Sequence, residues 1–170
     1  MPIDRDPALS SQIPSERHSE RTYPARPLIG VGVVVFRGDR VLLVRRRNPP
    51  RAGQWSLPGG LQHLGETVAE TARREVAEET GVHIAVSGLI DVIDLIDRDP
   101  TDGRIRYHYT LIDVVAEWLS GDPLAASDAA ACDWFDEAEV NDLGLWSETM
   151  RIITLGRRRL AVSPPSRGSG

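Results

Sequence analysis

The 170-residue chain has a single cysteine, Cys132. That excludes an intramolecular disulfide and argues against a Cys-rich zinc site. Such scarcity suits a reducing cytoplasm. Also missing is any apolar run of about 20 residues, the length a transmembrane helix requires, so no membrane contact is expected. The stretch from Met1 to Arg26 is polar, is interrupted by Pro2, Pro7, Pro14 and Pro24, and lacks the apolar centre of a secretory signal. Basic residues are not in excess: 20 Lys and Arg face 25 Asp and Glu, for a net charge of −5. Proteins that hold nucleic acid stably carry a basic footprint, so none is expected here. A small phosphorylated substrate needs only a few local arginines.

What remains fits one domain. Residues 1–26 read as a flexible arm, residues 27–162 as the folded domain and residues 163–170 (SPPSRGSG) as a disordered tail. Leu28 to Phe36 is β-branched and apolar, a strand buried on both faces. Arg37-Gly38-Asp39 turns the chain into a second strand, Val41 to Arg46, making a hairpin. Trp55 to Leu57 is a short strand. Val82 to Asp97, broken near Gly88, and Arg106 to Leu119 pair across the polar turn from Arg98 to Gly103. A loop of small residues, Ser120 to Ala131, leads to a last strand at Cys132 to Phe135, and Ser147 to Leu160 forms a closing helix. Between the third and fourth strands lies one further helix: Thr67 followed by Glu70 is a capping-box start, and Gly81 is a left-handed stop. The expected architecture is a mixed α/β sandwich, helices against a mixed sheet, and not a doubly wound parallel sheet.

That central helix poses an electrostatic problem. On a wheel of about 100° per residue, Val68, Ala72, Val76 and Ala69 define an apolar arc. Glu79 falls inside the arc, Glu75 sits at its edge, and Glu78 lies beside Glu75 on the other side. A carboxylate facing a core is costly unless its charge is compensated. Arg74 can pair with only part of this charge. A divalent cation held by carboxylate oxygens resolves the conflict, and an all-oxygen set favours Mg²⁺ or Mn²⁺ over zinc.

The segment Gly60 to Val82, GLQHLGETVAETARREVAEETGV, resembles the Nudix signature G-x5-E-x7-R-E-U-x-E-E-x-G-U, where U is bulky and aliphatic. Gly60, Glu66, Arg74, Glu75, Val76, Glu78, Glu79, Gly81 and Val82 fill every specified position. With about 7% usage per residue type, a chance match is on the order of 10⁻⁸ per starting position. Pro58-Gly59-Gly60, the VLLVRRR strand and the late CDWF strand extend the likeness over Leu28 to Leu160. The resemblance implies a Nudix α/β/α sandwich and a pyrophosphohydrolase. It also implies roles: Glu75 and Glu79 as main metal ligands with Glu78 beside them, the Gly59 carbonyl completing the site, Arg74 orienting Glu75, and Glu66 near the metals or bracing the loop. The general base is Glu78 or, from a later loop, Asp128; spacing does not choose between them. One departure is His63, where the family often has glutamate, which removes a negative charge from the neighbourhood.

Arg45, Arg46 and Arg47 end the second strand just before the box, and an arginine fork suits substrate phosphates. Alternation sets Arg46 opposite Arg45 and Arg47, so the three are not expected to act together. Trp55, Tyr107 and Tyr109 read first as packing residues, with a nucleoside pocket as the functional alternative. Among substrates, likeness to the ADP-ribose pyrophosphatase branch favours ADP-ribose or a nucleotide sugar. The rivals are a nucleoside triphosphate pyrophosphohydrolase and a non-catalytic ligand sensor. Sensors commonly show a degraded box and an attached DNA-binding domain, whereas this chain has an intact box and no length for a helix-turn-helix. Homodimers are common among Nudix relatives and one is expected as possible here.

Overall fold

A computed structural model describes residues 21–48 and 51–162. The expected tail, and the expected arm as far as residue 20, lie outside these residues. Seven strands form one mixed sheet: β1 (Leu28–Arg37), β2 (Arg40–Arg46), β3 (Trp55–Ser56), β4 (Gly59–Leu61), β5 (His83–Arg98), β6 (Ile105–Ser120) and β7 (Ala129–Phe135). The main path is β3-β2-β1-β6-β5, with β4 pairing β1 and β7 pairing β2. β1 runs parallel to β6 from Leu28↔Tyr109 to Phe36↔Glu117.

The expected hairpin is closed only at its turn, where Phe36 pairs with Val41 and Arg37 with Arg40. Beyond that the legs separate. β1 takes β4 as a partner (Gly30↔Leu61, Gly32↔Gly59), and β2 takes β7 and β3. The split between the legs, at the end where β1 begins and β2 finishes, receives the glycines of the box.

Alternation along β1 builds a core on each face. Val31, Val33 and Val35 join Leu42, Val114 and Ala116 beneath helix α1 (Val68–Thr80), which contributes Ala72 and Val76. Val34 and Phe36 join Val41, Leu43 and Val115 beneath α2 (Glu137–Asp142) and α3 (Ser147–Val162), which contribute Val140, Ile152 and Ile153. Each buried Val, Leu or Ile contributes about 1.5–3 kcal/mol from removing its side chain from water. α3 lies close to the sheet because Gly156 has no side chain: a Cβ there would stand 3.0 Å from Ile90 and 3.4 Å from Val34.

Several expectations shift in detail. Gly88 does not break its strand; β5 runs unbroken through bulges between Val86 and Gly88 and between Leu89 and Asp91. The last strand starts at Ala129, three residues early, because β2 supplies partners as far as Arg46. Two elements were not expected from the sequence: β4, whose pairing is entirely with distant β1, and α2, a short helix opened by the Asp136/Glu139 capping box.

Candidate active site

α1 begins and ends where its sequence directs. The Glu70 N–H donates to the Thr67 hydroxyl at 3.2 Å, and the Thr67 N–H donates to the Glu70 carboxylate at 2.7 Å. At the other end Gly81, at φ 71°, donates its N–H to Ala77. Between these caps the glutamates are graded in burial as the wheel requires. Glu79 is 8% exposed, the Glu75 side chain 14% and the Glu78 side chain 53%.

The buried pair is held by backbone and by arginine. Gly59 donates its N–H to Glu79 Oε2 at 3.0 Å. Gly59 itself is at φ 153°, and a Cβ on it would meet the Val31 carbonyl at 2.1 Å, so only glycine serves at this point. A Cβ on neighbouring Gly60 would collide with the Glu75 carboxylate at 2.3 Å. Gly59 and the first box residue, Gly60, therefore let strand β4 press directly against the two acids. The contact seen at Gly59 is through its N–H, to the carboxylate of Glu79.

Arg74 distributes its guanidinium over three acids and a carbonyl. Nε donates to Glu66 Oε1 at 2.6 Å, Nη1 to Glu75 Oε1 at 2.7 Å and more distantly to Glu78 at 3.4 Å, and Nη2 to Glu66 Oε2 and the Leu61 carbonyl, both at 3.0 Å. Charge-assisted bonds of this kind fix geometry as well as energy. Glu66 further accepts from the His63 N–H at 3.0 Å and the Thr71 hydroxyl at 2.9 Å. Its pKa falls to about 2, chiefly through the Arg74 hydrogen bonds. Glu66 is thus a permanently ionised brace between the box loop and α1. Thr71 gave no sign of this role in sequence; it is a buried hydroxyl on the helix face.

The other two acids move the opposite way. Desolvation pushes Glu79 up to about 8, against the Gly59 hydrogen bond and with help from the charge of Glu75. Desolvation also raises Glu75, although Arg74 opposes it. Two adjoining carboxyls, one buried and one half-buried, that resist ionisation are the electrostatic condition a cation relieves. Among the described residues no three His, Cys, Asp or Glu side chains converge into a ready-made cage.

The remaining candidates lie around this centre. Asp128 is drawn in by a loop tied to the end of α1: Leu124 donates its N–H to the Thr80 carbonyl at 2.9 Å and Ala126 to the Glu79 carbonyl at 3.0 Å. The charge of Asp128 bears on Glu79, and its Oδ1 accepts from Asn48 at 3.0 Å. Arg46 is half-buried on the face that Leu42 shares with α1, and its charge also reaches Glu79. Arg45 and Arg47 are exposed, and Arg47 donates to the Ala129 carbonyl at 3.1 Å. Trp55 packs edge-on against Phe135. His63 is more than half exposed, 3.8 Å from Glu66.

Comparison with known proteins agrees with this geometry. The NUDIX domain profile matches residues 26–155, and the chain belongs to the NUDIX family. An ADP-ribose pyrophosphatase of Methanocaldococcus jannaschii is 36% identical over 110 residues, 65% of this chain and 62% of that protein, so the match spans less than two thirds of that relative's length. A Mycobacterium tuberculosis protein provisionally named 8-oxo-dGTP diphosphatase 2 is 36% identical over 118 residues, 68% of this chain and 77% of that one. The crystal structure of a MutT NUDIX hydrolase from Burkholderia pseudomallei is 30% identical with a TM-score of 0.63, covering 76% of this chain and 98% of that one. Fold, box and matches thus agree on a NUDIX-domain protein.

Proposed function

We propose that the chain hydrolyses the pyrophosphate bond of a nucleoside diphosphate joined to a second group, with ADP-ribose or a nucleotide sugar as substrate and Mg²⁺ or Mn²⁺ as cofactor. The observation that carries this reading is the pair of buried Glu79 and half-buried Glu75, pressed against two glycines that leave no room for any other side chain. A divalent ion bound there neutralises the pyrophosphate and lowers the pKa of a water.

The protein's own contributions follow from position. Glu79 and Glu75 supply oxygens from a rigid helix, with the Gly59 N–H and Arg74 fixing their orientation. Glu66 fixes Arg74 in turn. We assign to Arg46, half-buried and with its charge reaching Glu79, the grip on a substrate phosphoryl oxygen. We assign the general base to Glu78, whose one hydrogen bond among the described residues is the 3.4 Å contact from Arg74. Its side chain, 53% exposed and on the same helix as Glu75 and Glu79, can take a proton from water beside them. The preference for ADP-ribose is supported by the name of the Methanocaldococcus relative and the rival triphosphate reading by that of the Mycobacterium one. A substrate panel with Mg²⁺ separates them. Release of AMP and ribose phosphate from ADP-ribose is expected; turnover confined to nucleoside triphosphates would replace this reading with its rival.

A further inference from the structure

The donors that grip the Glu66 carboxylate differ in what they are rooted to. Arg74 donates through Nε and Nη2 from the end of a long, flexible side chain. The His63 N–H belongs to the loop that carries Glu66 itself. That loop is closed on its own residues, since Gln62 Nε2 also donates to the Glu66 carbonyl, at 2.6 Å. The remaining donor is the Thr71 hydroxyl, 2.9 Å from Glu66 Oε2. Of these donors it alone sits on a short side chain fixed to α1.

Thr71 stands three residues before Arg74 and four before Glu75, the spacing that sets side chains on one helix face. It is 0% exposed, so its hydroxyl meets neither water nor substrate directly. Its Oγ1 also lies 3.1 Å from the Thr67 carbonyl, one turn earlier, a contact that selects between the two rotamers open to threonine in a helix. A hydroxyl has one proton to give, and an ionised carboxylate draws it more strongly than a carbonyl does. The hydroxyl therefore clamps Glu66 to the helix. Glu66 in turn engages both Nε and Nη2 of Arg74, which leaves Nη1 directed at Glu75 Oε1, 2.7 Å away. A succession of side chains thus leaves α1 at Thr71 and returns to it at Glu75. Arginine carries much rotamer freedom, and a guanidinium fixed along two of its nitrogens loses most of it.

We propose that Thr71 is a positioning residue of the hydrolytic site, holding Glu75 in place through Glu66 and Arg74. This rests on the hydrolase reading above, in which Glu75 is a metal ligand. Thr71 touches neither ion nor substrate. It makes a rigid guide of an arginine whose Nη1 has a second acid, Glu78, within 3.4 Å.

The test uses the full chain with Thr71→Val, which removes the hydroxyl at nearly constant shape, and Thr71→Ser, which keeps it. The Arg74 Nε–H magnetic resonance, assigned with Arg74→Lys, reports on the guanidinium without ion or substrate. It is expected to be sharp and slow to exchange with water in wild type and Thr71→Ser, and broadened by exchange in Thr71→Val. Calorimetry with Mn²⁺ should show affinity about tenfold lower in Thr71→Val, the low end of what loss of an orienting partner costs a metal ligand. Thr71→Ser should stay within about twofold of wild type. The kcat for ADP-ribose should fall in the same proportion, with KM little changed. In a Glu66→Ala background Thr71→Val should cost nothing further, because the two act in one network. Should Thr71→Val fail to fold, Thr71→Ala carries the same expectations. A wild-type Arg74 signal or wild-type Mn²⁺ affinity in Thr71→Val overturns the proposal, as does Thr71→Ser impaired as deeply as Thr71→Val. If wild type releases no AMP from ADP-ribose yet Thr71→Val loosens Arg74 and weakens Mn²⁺ while Thr71→Ser does neither, the positioning stands and the hydrolase reading falls.

Discussion

Glu79 and Glu66 are carboxylates of one site, yet burial raises the first to about 8 while Arg74 lowers the second to about 2. Their tasks differ accordingly. Glu66 is an ionised strut whose oxygens are consumed by Arg74, Thr71 and the His63 amide. Glu79 is a buried acid held by one backbone N–H, with the charges of Glu75 and Arg46 acting on it in opposite directions. Glutamine at position 79 can still accept that N–H through its amide oxygen, so the fold should survive. Glu79→Gln is therefore expected to lower turnover by about a hundredfold or more with a melting temperature no lower than wild type. Steady-state assays and thermal melts check both halves, and wild-type turnover in the variant would remove Glu79 from the proposed ligand set. At this scale much was legible in advance. Helical spacing alone placed Glu79 inward, Glu75 at the margin and Glu78 outward. It did not indicate Thr71, because its significance depends on Glu66, which only the folded loop brings near.

At the scale of elements, α1 was the most readable because its start, period and stop are all local. Thr67, Glu70 and Gly81 act within a few residues of themselves. β4 was not readable: Gly59-Gly60-Leu61 has no alternation of its own and becomes a strand because β1 offers its edge. α2 did carry a signal, the Asp136/Glu139 box, but six residues are too few for an apolar period to show. β4 also sets the tolerance of the site. A methyl group on Gly59 would meet both a left-handed backbone and the Val31 carbonyl, and must push β4 away from β1. Gly59→Ala is expected to destabilise by about 1–3 kcal/mol, the usual range for strain at such positions, and to lose activity beyond that because Glu79 loses its donor. Denaturant unfolding paired with kinetics tests this; a variant with wild-type stability and rate would show that β4 can shift freely.

At the scale of the whole molecule, the two faces of the sheet carry different electrostatic loads. Opposite α1, Asp113 is 5% exposed, and its carboxylate occupies the space left by Gly32, where a Cβ would lie 2.1 Å from Oδ1. Desolvation raises its pKa to about 6, with Asp91 on β5 and Glu148 on α3 adding to the rise and Arg151 on α3 opposing it. Arg151 is already committed, at 2.8 Å to each of Asp91 and Glu148. An acid whose folded pKa exceeds its unfolded one holds its proton more tightly when native. Its contribution is complete below the ordinary value of 3.8 and disappears as pH rises through about 6. The penalty above that range is on the order of 3 kcal/mol. Asp113→Asn should therefore raise the melting temperature at pH 8 and leave it near wild type at pH 4. A variant no more stable than wild type at pH 8 would contradict this account. Sequence alternation put Asp113 on a strand but did not reveal its burial, which arises from Gly32 on one side and α3 on the other.

The parted legs of the first hairpin have a mechanical consequence. β1 is bonded along one edge to β6 for nearly its whole length and along the other to β2 and then β4, so it serves as the keel of the molecule. Glu79 is moored to that keel through Gly59, and Arg74 through Leu61. A ligand meeting these side chains therefore meets a fixed frame, and it cannot draw Glu79 or Arg74 toward itself without parting β4 from β1.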